Sequence, residues 1–135
     1  WIIKKFSPFK IVVRRVSLRG KKKEYLENKD KALALAFIRL EHFNKIYEAK
    51  IGKVNIKNQK TRWGSCSRKG NINFNYKIAL LPERLADYII VHELCHLQEF
   101  NHSRKFWDLV SVTIPDWGER RMELKKACGS LLNGI

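Results

Sequence analysis

The stretch from Val91 to Trp107, VHELCHLQEFNHSRKFW, decides how the rest of the chain is read. It holds His92, Glu93 and His96 in an H-E-x-x-H arrangement, with His102 six residues further on. On a helix, residues four apart lie about 40° apart on one face, so two imidazoles at that spacing can grip one metal ion. Glu93 is rotated off that face but stays within reach of a water on the metal. With 4 His in 135 residues, an accidental match is expected in about one in a hundred such chains. Chance is therefore a weak explanation. Two histidines buried in a core helix also need polar partners, and one bound cation would satisfy both.

The surrounding pattern places the motif on a central helix. Pro82 suits a first helical turn, and the helix is expected to run to about Phe100. Leu85 and Ile89 share the side of His92 and His96, Ile90, Leu94 and Leu97 lie behind, and Tyr88 and Val91 fill a third sector. A helix apolar nearly all round belongs in the middle of a domain. Asn101 is expected to turn the chain out of it in the left-handed conformation. Ser103 is expected to cap the next helix, RKFWDLVSV, and Asp116 with Glu119 to start a last helix reaching about Cys128.

His102 is the favoured third ligand, because its distance from His92 matches the metzincin pattern H-E-x-x-H-x-x-G-x-x-H. Glu99 stands where that pattern has glycine, so the turn must be made differently. Glu119 or Glu123 is the rival, as in enzymes using two histidines and a glutamate. Cys95 points away from the ligand direction and is expected to pack. Three protein ligands on one zinc ion leave a fourth position for water, whose pKa falls to about 7. Glu93 would take a proton from that water and pass it to the leaving group. Zinc is preferred to iron because nothing resembles a two-histidine, one-carboxylate oxygenase site. Arg62, Asn75 and Tyr76 are candidates for stabilising the developing oxyanion.

Upstream, residues 10–19 read as a strand closed by Gly20, after a Trp1–Phe6 stretch that looks like the end of an earlier element. Residues 21–30, KKKEYLENKD, read as a polar loop. A helix is expected from Asp30, with Ala36, Leu40, Phe43 and Tyr47 as its apolar stripe, Leu33 and Phe37 widening it, and Gly52 ending it. His42 on that helix is expected to be a surface imidazole. Residues 53–57 form a short strand, and residues 58–82 read as two strands about a turn at Arg68–Asn71. In the second of these, Ile72, Phe74 and Tyr76 alternate with Asn71, Asn73 and Asn75. Its edge is where an extended substrate is expected to add.

Composition bounds the rest. A chain of 135 residues with 44% hydrophobic residues is long enough for one folded domain, residues 1–135. There is no apolar run long enough to span a bilayer, and the chain starts at Trp1 without a methionine; a cytoplasmic, non-membrane protein without a leader is expected. Cys66, Cys95 and Cys128 are too few for a disulfide scaffold and fit a reducing compartment. The net charge is +15, and residues 1–60 carry 17 Lys/Arg against 5 Asp/Glu. Such a field favours anionic partners, non-specific nucleic acid or another polyanion among them, although no sequence-reading element is present.

Several separated blocks also resemble one family. These are Lys60-Thr-Arg-Trp-Gly-Ser-Cys-Ser67, Asn71-Ile-Asn-Phe-Asn75, Leu81-Pro82, Asp87-Tyr88 through His96, Asn101-His-Ser103, and Phe106-Trp107. Their order is similar to that of the YgjP-like metal-dependent hydrolases. The resemblance implies a compact α+β, zincin-type metallopeptidase domain, with a small antiparallel or mixed sheet packed on the central H-E-x-x-H helix and flanking helices. It implies one zinc held by His92, His96 and His102, and Glu93 as catalytic acid/base acting on a protein or peptide. It further implies amino-terminal strands beyond those in the 135 residues, and a distant kinship with SprT-like proteases, which act on proteins attached to DNA. Two other functions stay open on the residues alone: hydrolysis of nucleoside polyphosphates, and nucleic-acid binding around a structural zinc.

Overall fold

A computed structural model describes residues 3–7 and 10–13 as backbone strands, residues 22–127 in full and residue 128 as the end of a helix. Arg14–Gly20, the rest of the expected first strand, and the side chain of Cys128 lie outside the described residues. Strands β1 (Ile3–Ser7) and β2 (Lys10–Val13) pair antiparallel. The remaining elements are α1 (Lys22–Tyr47), β3 (Val54–Lys57), β4 (Gly64–Cys66), β5 (Ile72–Asn75), a 3-10 turn (Tyr76–Leu80), α2 (Glu83–His96), α3 (Arg104–Ser111) and α4 (Trp117–Cys128). Among the described residues the fold is α+β, as expected: a three-stranded mixed sheet, the β1–β2 pair and four α-helices.

Helix α1 is longer than its apolar stripe foretells. Residues 22–30, read as a loop, are helical. Tertiary contacts decide this: the Tyr25 ring meets Tyr76 edge-on at 5.6 Å, and the Tyr76 hydroxyl donates to Glu24 Oε1 at 3.1 Å. The Lys, Glu and Leu residues there are good helix formers whose polarity reflects exposure rather than irregular structure. Ala32, Ala36, Leu40, Phe43 and Tyr47 form the buried face, whereas Phe37 is 53% exposed and does not widen it. The helix ends at Tyr47, not at Gly52. Glu48 takes φ 52°, and the Asn44 side chain accepts from Ala49 N and donates to Ala49 O. Gly52 serves a close approach instead, since a Cβ there would lie 2.7 Å from Asn71 Oδ1. His42 is exposed, as expected.

The sheet order is β3-β5-β4, with β3 and β5 parallel and β4 and β5 antiparallel. Gly70, at φ +90°, makes the turn between β4 and β5. Strand β5 is therefore central. Both its sides are hydrogen-bonded, and it offers no edge to a substrate. The edge that borders α2 is β4. Apolar residues of β5, Ile72 and Phe74, are fully buried against the helices.

Helix α2 is buried from Leu85 to His96 and forms the centre of the molecule. Pro82 sits just ahead of it, with extended backbone, rather than in its first turn. Its buried Asp87 accepts two hydrogen bonds from Arg39 of α1, at 2.8 and 2.9 Å. Tyr47 ties the end of α1 to α3, donating to Leu109 O at 2.8 Å. No helix of the described residues is long and apolar enough to cross a membrane.

Candidate metal centre and active-site cleft

The site lies where the buried end of α2 meets the loop into α3. Helical spacing puts His92 and His96 on one side of α2, 3% and 7% exposed. The helix ends at His96, four residues before the expected Phe100. Asn101 is not the left-handed exit: among the described residues only Glu48 and Gly70 have positive φ. The chain leaves through hydrogen-bonded turns at Leu97–Glu99, with Glu99 N donating to Cys95 O. The Ser103 hydroxyl accepts from Phe106 N and starts α3, as expected. That reversal folds His102 back over α2.

The three ring nitrogens converge. His102 Nε2 lies 3.0 Å from both His92 Nε2 and His96 Nε2. Tetrahedral nitrogen ligands on zinc would be separated by about 3.3 Å, so a small outward shift of His102 from its two neighbours would suit one ion. Three imidazole lone pairs facing a common point repel unless a cation sits between them. His96 Nδ1 donates to Glu99 O at 3.0 Å, which leaves its Nε2 lone pair for a metal. His92 Nδ1 lies 3.1 Å from Glu93 Oε1.

Burial, with the neighbouring His92, holds the His96 pKa down. The same causes, burial first and then His92 and His96, bring His102 down to about 4, although that residue as a whole is exposed. All of this favours the neutral, metal-binding form. The donor set fits a metal ion. Among the described residues, His92, His96 and His102 form the one group able to hold one. Glu119 and Glu123 are not in it, and the Glu123 carboxylate is paired with Arg84.

Aromatic rings brace the cluster. The His102 ring stacks on Trp107 at 5.8 Å and 23°, and Trp107 stacks on Trp117 at 4.1 Å and 18°. Phe106 lies nearly parallel to His96 at 4.3 Å. These partners were legible only as apolar residues of α3 and α4.

A cavity of about 310 Å³ opens over the histidines. It is also lined by the segment Arg62–Cys66, β4 and the two residues before it, and by Phe100. Glu93 is its sole carboxylate. A Cβ at Gly64 would come within 2.9 Å of Glu93 Cγ, so only glycine lets strand and helix approach this closely.

Of the three oxyanion candidates, Arg62 borders the cavity. Asn75 and Tyr76 do not. Asn75 is fully buried; its amide donates to Gln59 O and Arg62 O and its carbonyl accepts from Lys77 N. Tyr76 is held by Glu24. Asn75 holds the loop before β4 in place and Tyr76 ties the end of β5 to α1, so neither faces the cavity.

Cys66 lines the cavity half-buried, and burial, helped by the charge of Glu93, pushes its thiol up to about 12. Cys95 is packed in the core, as expected.

Residues 7–127 match the YgjP-like metallopeptidase domain. No curated protein matches the chain. Among solved structures, the metallopeptidase zymogen of Pyrococcus abyssi abylysin is similar at 27% identity and a TM-score of 0.65, covering 74% of this chain and 99% of its own. The metallopeptidase zymogen of Methanocaldococcus jannaschii jannalysin, at 24% identity, a TM-score of 0.56 and coverage of 70% and 94%, shares the fold. With its fold, its histidine cluster and a match over nearly its whole length, the chain belongs to the YgjP-like metallopeptidase family.

Proposed function

We propose that the protein is a zinc-dependent metallopeptidase in which His92, His96 and His102 hold one zinc ion and Glu93 acts as general base and acid. The observation that carries this reading is the convergence of three imidazoles, His102 Nε2 lying 3.0 Å from both His92 Nε2 and His96 Nε2, beneath a cleft whose sole carboxylate is Glu93. When bound, zinc supplies a Lewis acid that acidifies a water and polarises a carbonyl.

The remaining work falls to the chain's own groups. Glu93, 5% exposed and facing the cavity, receives a proton on its carboxylate and returns it to the departing amine. His96 is kept in one tautomer by Glu99 O, and His102 is kept in one orientation by Trp107. The outer edge of β4, with no strand beside it among the described residues, accepts an extended peptide as a further strand. Arg62, at the mouth, is the group available to a substrate anion.

The test compares wild type with Glu93→Gln. The variant should retain one zinc per chain while peptide cleavage falls by about 10²–10⁴-fold. Undiminished cleavage would rule out the assignment of Glu93. Nucleoside triphosphates assayed beside the peptides test the polyphosphate alternative, which predicts phosphate release and no peptide cleavage.

A further inference from the structure

Between Glu48 and Glu83 the chain has no acidic residue, while lysine and arginine recur throughout. This segment builds the entire three-stranded sheet and the strand wall of the cleft. Lys60 and Arg62 precede β4, Arg68 and Lys69 follow it, and all four are exposed. Among the described residues, none of the four is in an ion pair.

Two of them are placed as more than solubilising charges. Arg62 stands two residues before Gly64, whose Cα closely approaches Glu93, and lines the same cavity as that carboxylate. Two residues of chain span at most about 7 Å, which keeps the Arg62 backbone close to Gly64. At the other end, the Arg68 guanidinium lies 4.8 Å over the ring of Phe100, which borders the same cavity. A guanidinium resting on an aromatic face is positioned, and it still presents its donors outward.

From this we infer that the cleft selects peptides carrying an acidic side chain beside the scissile bond, with Arg62 as the residue that reads the carboxylate and Arg68 as a second contact at the far end. This rests on the peptidase reading above. A guanidinium fork takes a carboxylate through two parallel hydrogen bonds, which sets both charge and orientation. The +15 net charge draws in such a substrate before it docks. Single-stranded nucleic acid fits less well, because it needs open aromatic faces for base stacking. Trp63 is fully buried, and Phe100 is covered by Arg68.

The test uses the zinc-loaded full chain and three fluorogenic peptides of one sequence, with Glu, Gln or Lys at each position within two residues of the scissile bond. The glutamate peptide should exceed the glutamine peptide in kcat/KM by about tenfold at low salt, and the ratio should shrink as salt rises. Arg62→Ala should remove most of that ratio, and Arg62→Glu should invert it in favour of lysine. Equal rates for the glutamate and glutamine peptides would overturn the inference and leave the peptidase intact. An equal loss of kcat for every peptide in Arg62→Ala would assign Arg62 to the reacting carbonyl instead, and would also overturn it. Cleavage of none of the peptides would overturn the peptidase reading and this inference together. Displacement of the glutamate peptide from Glu93→Gln by single-stranded DNA, at a tenth of the unlabelled peptide's concentration, would give the cationic wall to nucleic acid.

Discussion

Gly64 of the edge strand and Glu93 of the central helix are in such close contact that a single added Cβ would lie 2.9 Å from Glu93 Cγ and 3.1 Å from Asn73 O. The backbone oxygen cannot yield, so a Gly64→Ala side chain must push the Glu93 carboxylate aside. Displacing a catalytic group by about 1 Å costs up to about 100-fold in rate. Gly64→Ala is expected to keep its zinc and lose about 10–100-fold in kcat. Zinc content by mass spectrometry, alongside peptide kinetics, checks this.

The stack of His102 on Trp107 and of Trp107 on Trp117 makes a further expectation. His102 comes from a loop, and its orientation depends on that support. Trp107→Ala should weaken zinc binding by about 10-fold, and Trp107→Phe should restore part of the loss. Competition with a chromogenic chelator measures both.

Removing the metal should loosen the site and the fold together. Without a cation, three imidazole nitrogens face one another with nothing between them. Chelation is expected to lower the melting temperature and abolish cleavage, and added zinc to restore both. At free zinc one hundred times the dissociation constant, the stabilisation is about 2.7 kcal/mol. Calorimetry at fixed free zinc provides the measurement.

Asp87 is the mostly buried partner of Arg39, which is 20% exposed at its side chain. Deleting one member of such a pair leaves the other charged and partly desolvated, so Asp87→Ala should destabilise the fold by about 3 kcal/mol. Urea unfolding would show a lower midpoint with an unchanged slope.

Cys66 faces the cavity, yet burial and the charge of Glu93 keep its thiol protonated up to about pH 12. The thiolate is the reactive form. Iodoacetamide should therefore label Cys66 far more slowly at pH 8 than an unfolded control, with the rate climbing as pH approaches 12. Peptide mapping of the labelled protein distinguishes it from Cys95.

The sequence by itself determined the parts that depend on local periodicity. The i, i+4 placement of His92 and His96, the all-round apolarity of α2, the Ser103 cap and the turn at Gly70 follow from spacing and backbone chemistry. Those rules need no knowledge of distant residues. Tertiary structure alone decided which strand borders the site. Asn71–Asn75 reads as an amphipathic strand with an open edge, but pairing with β3 and β4 on both sides makes it central and gives the edge to Gly64–Cys66. Helix α1 begins at Lys22 because Tyr25 and Glu24 meet Tyr76, more than fifty residues away. Asn75 is lost to substrate for the same reason, its amide being held by the loop before β4. Strand order and side-chain partnership are contacts between segments far apart in the chain. Local pattern names the metal-binding helix and points to His102, and only packing brings Arg62 and Gly64 to them.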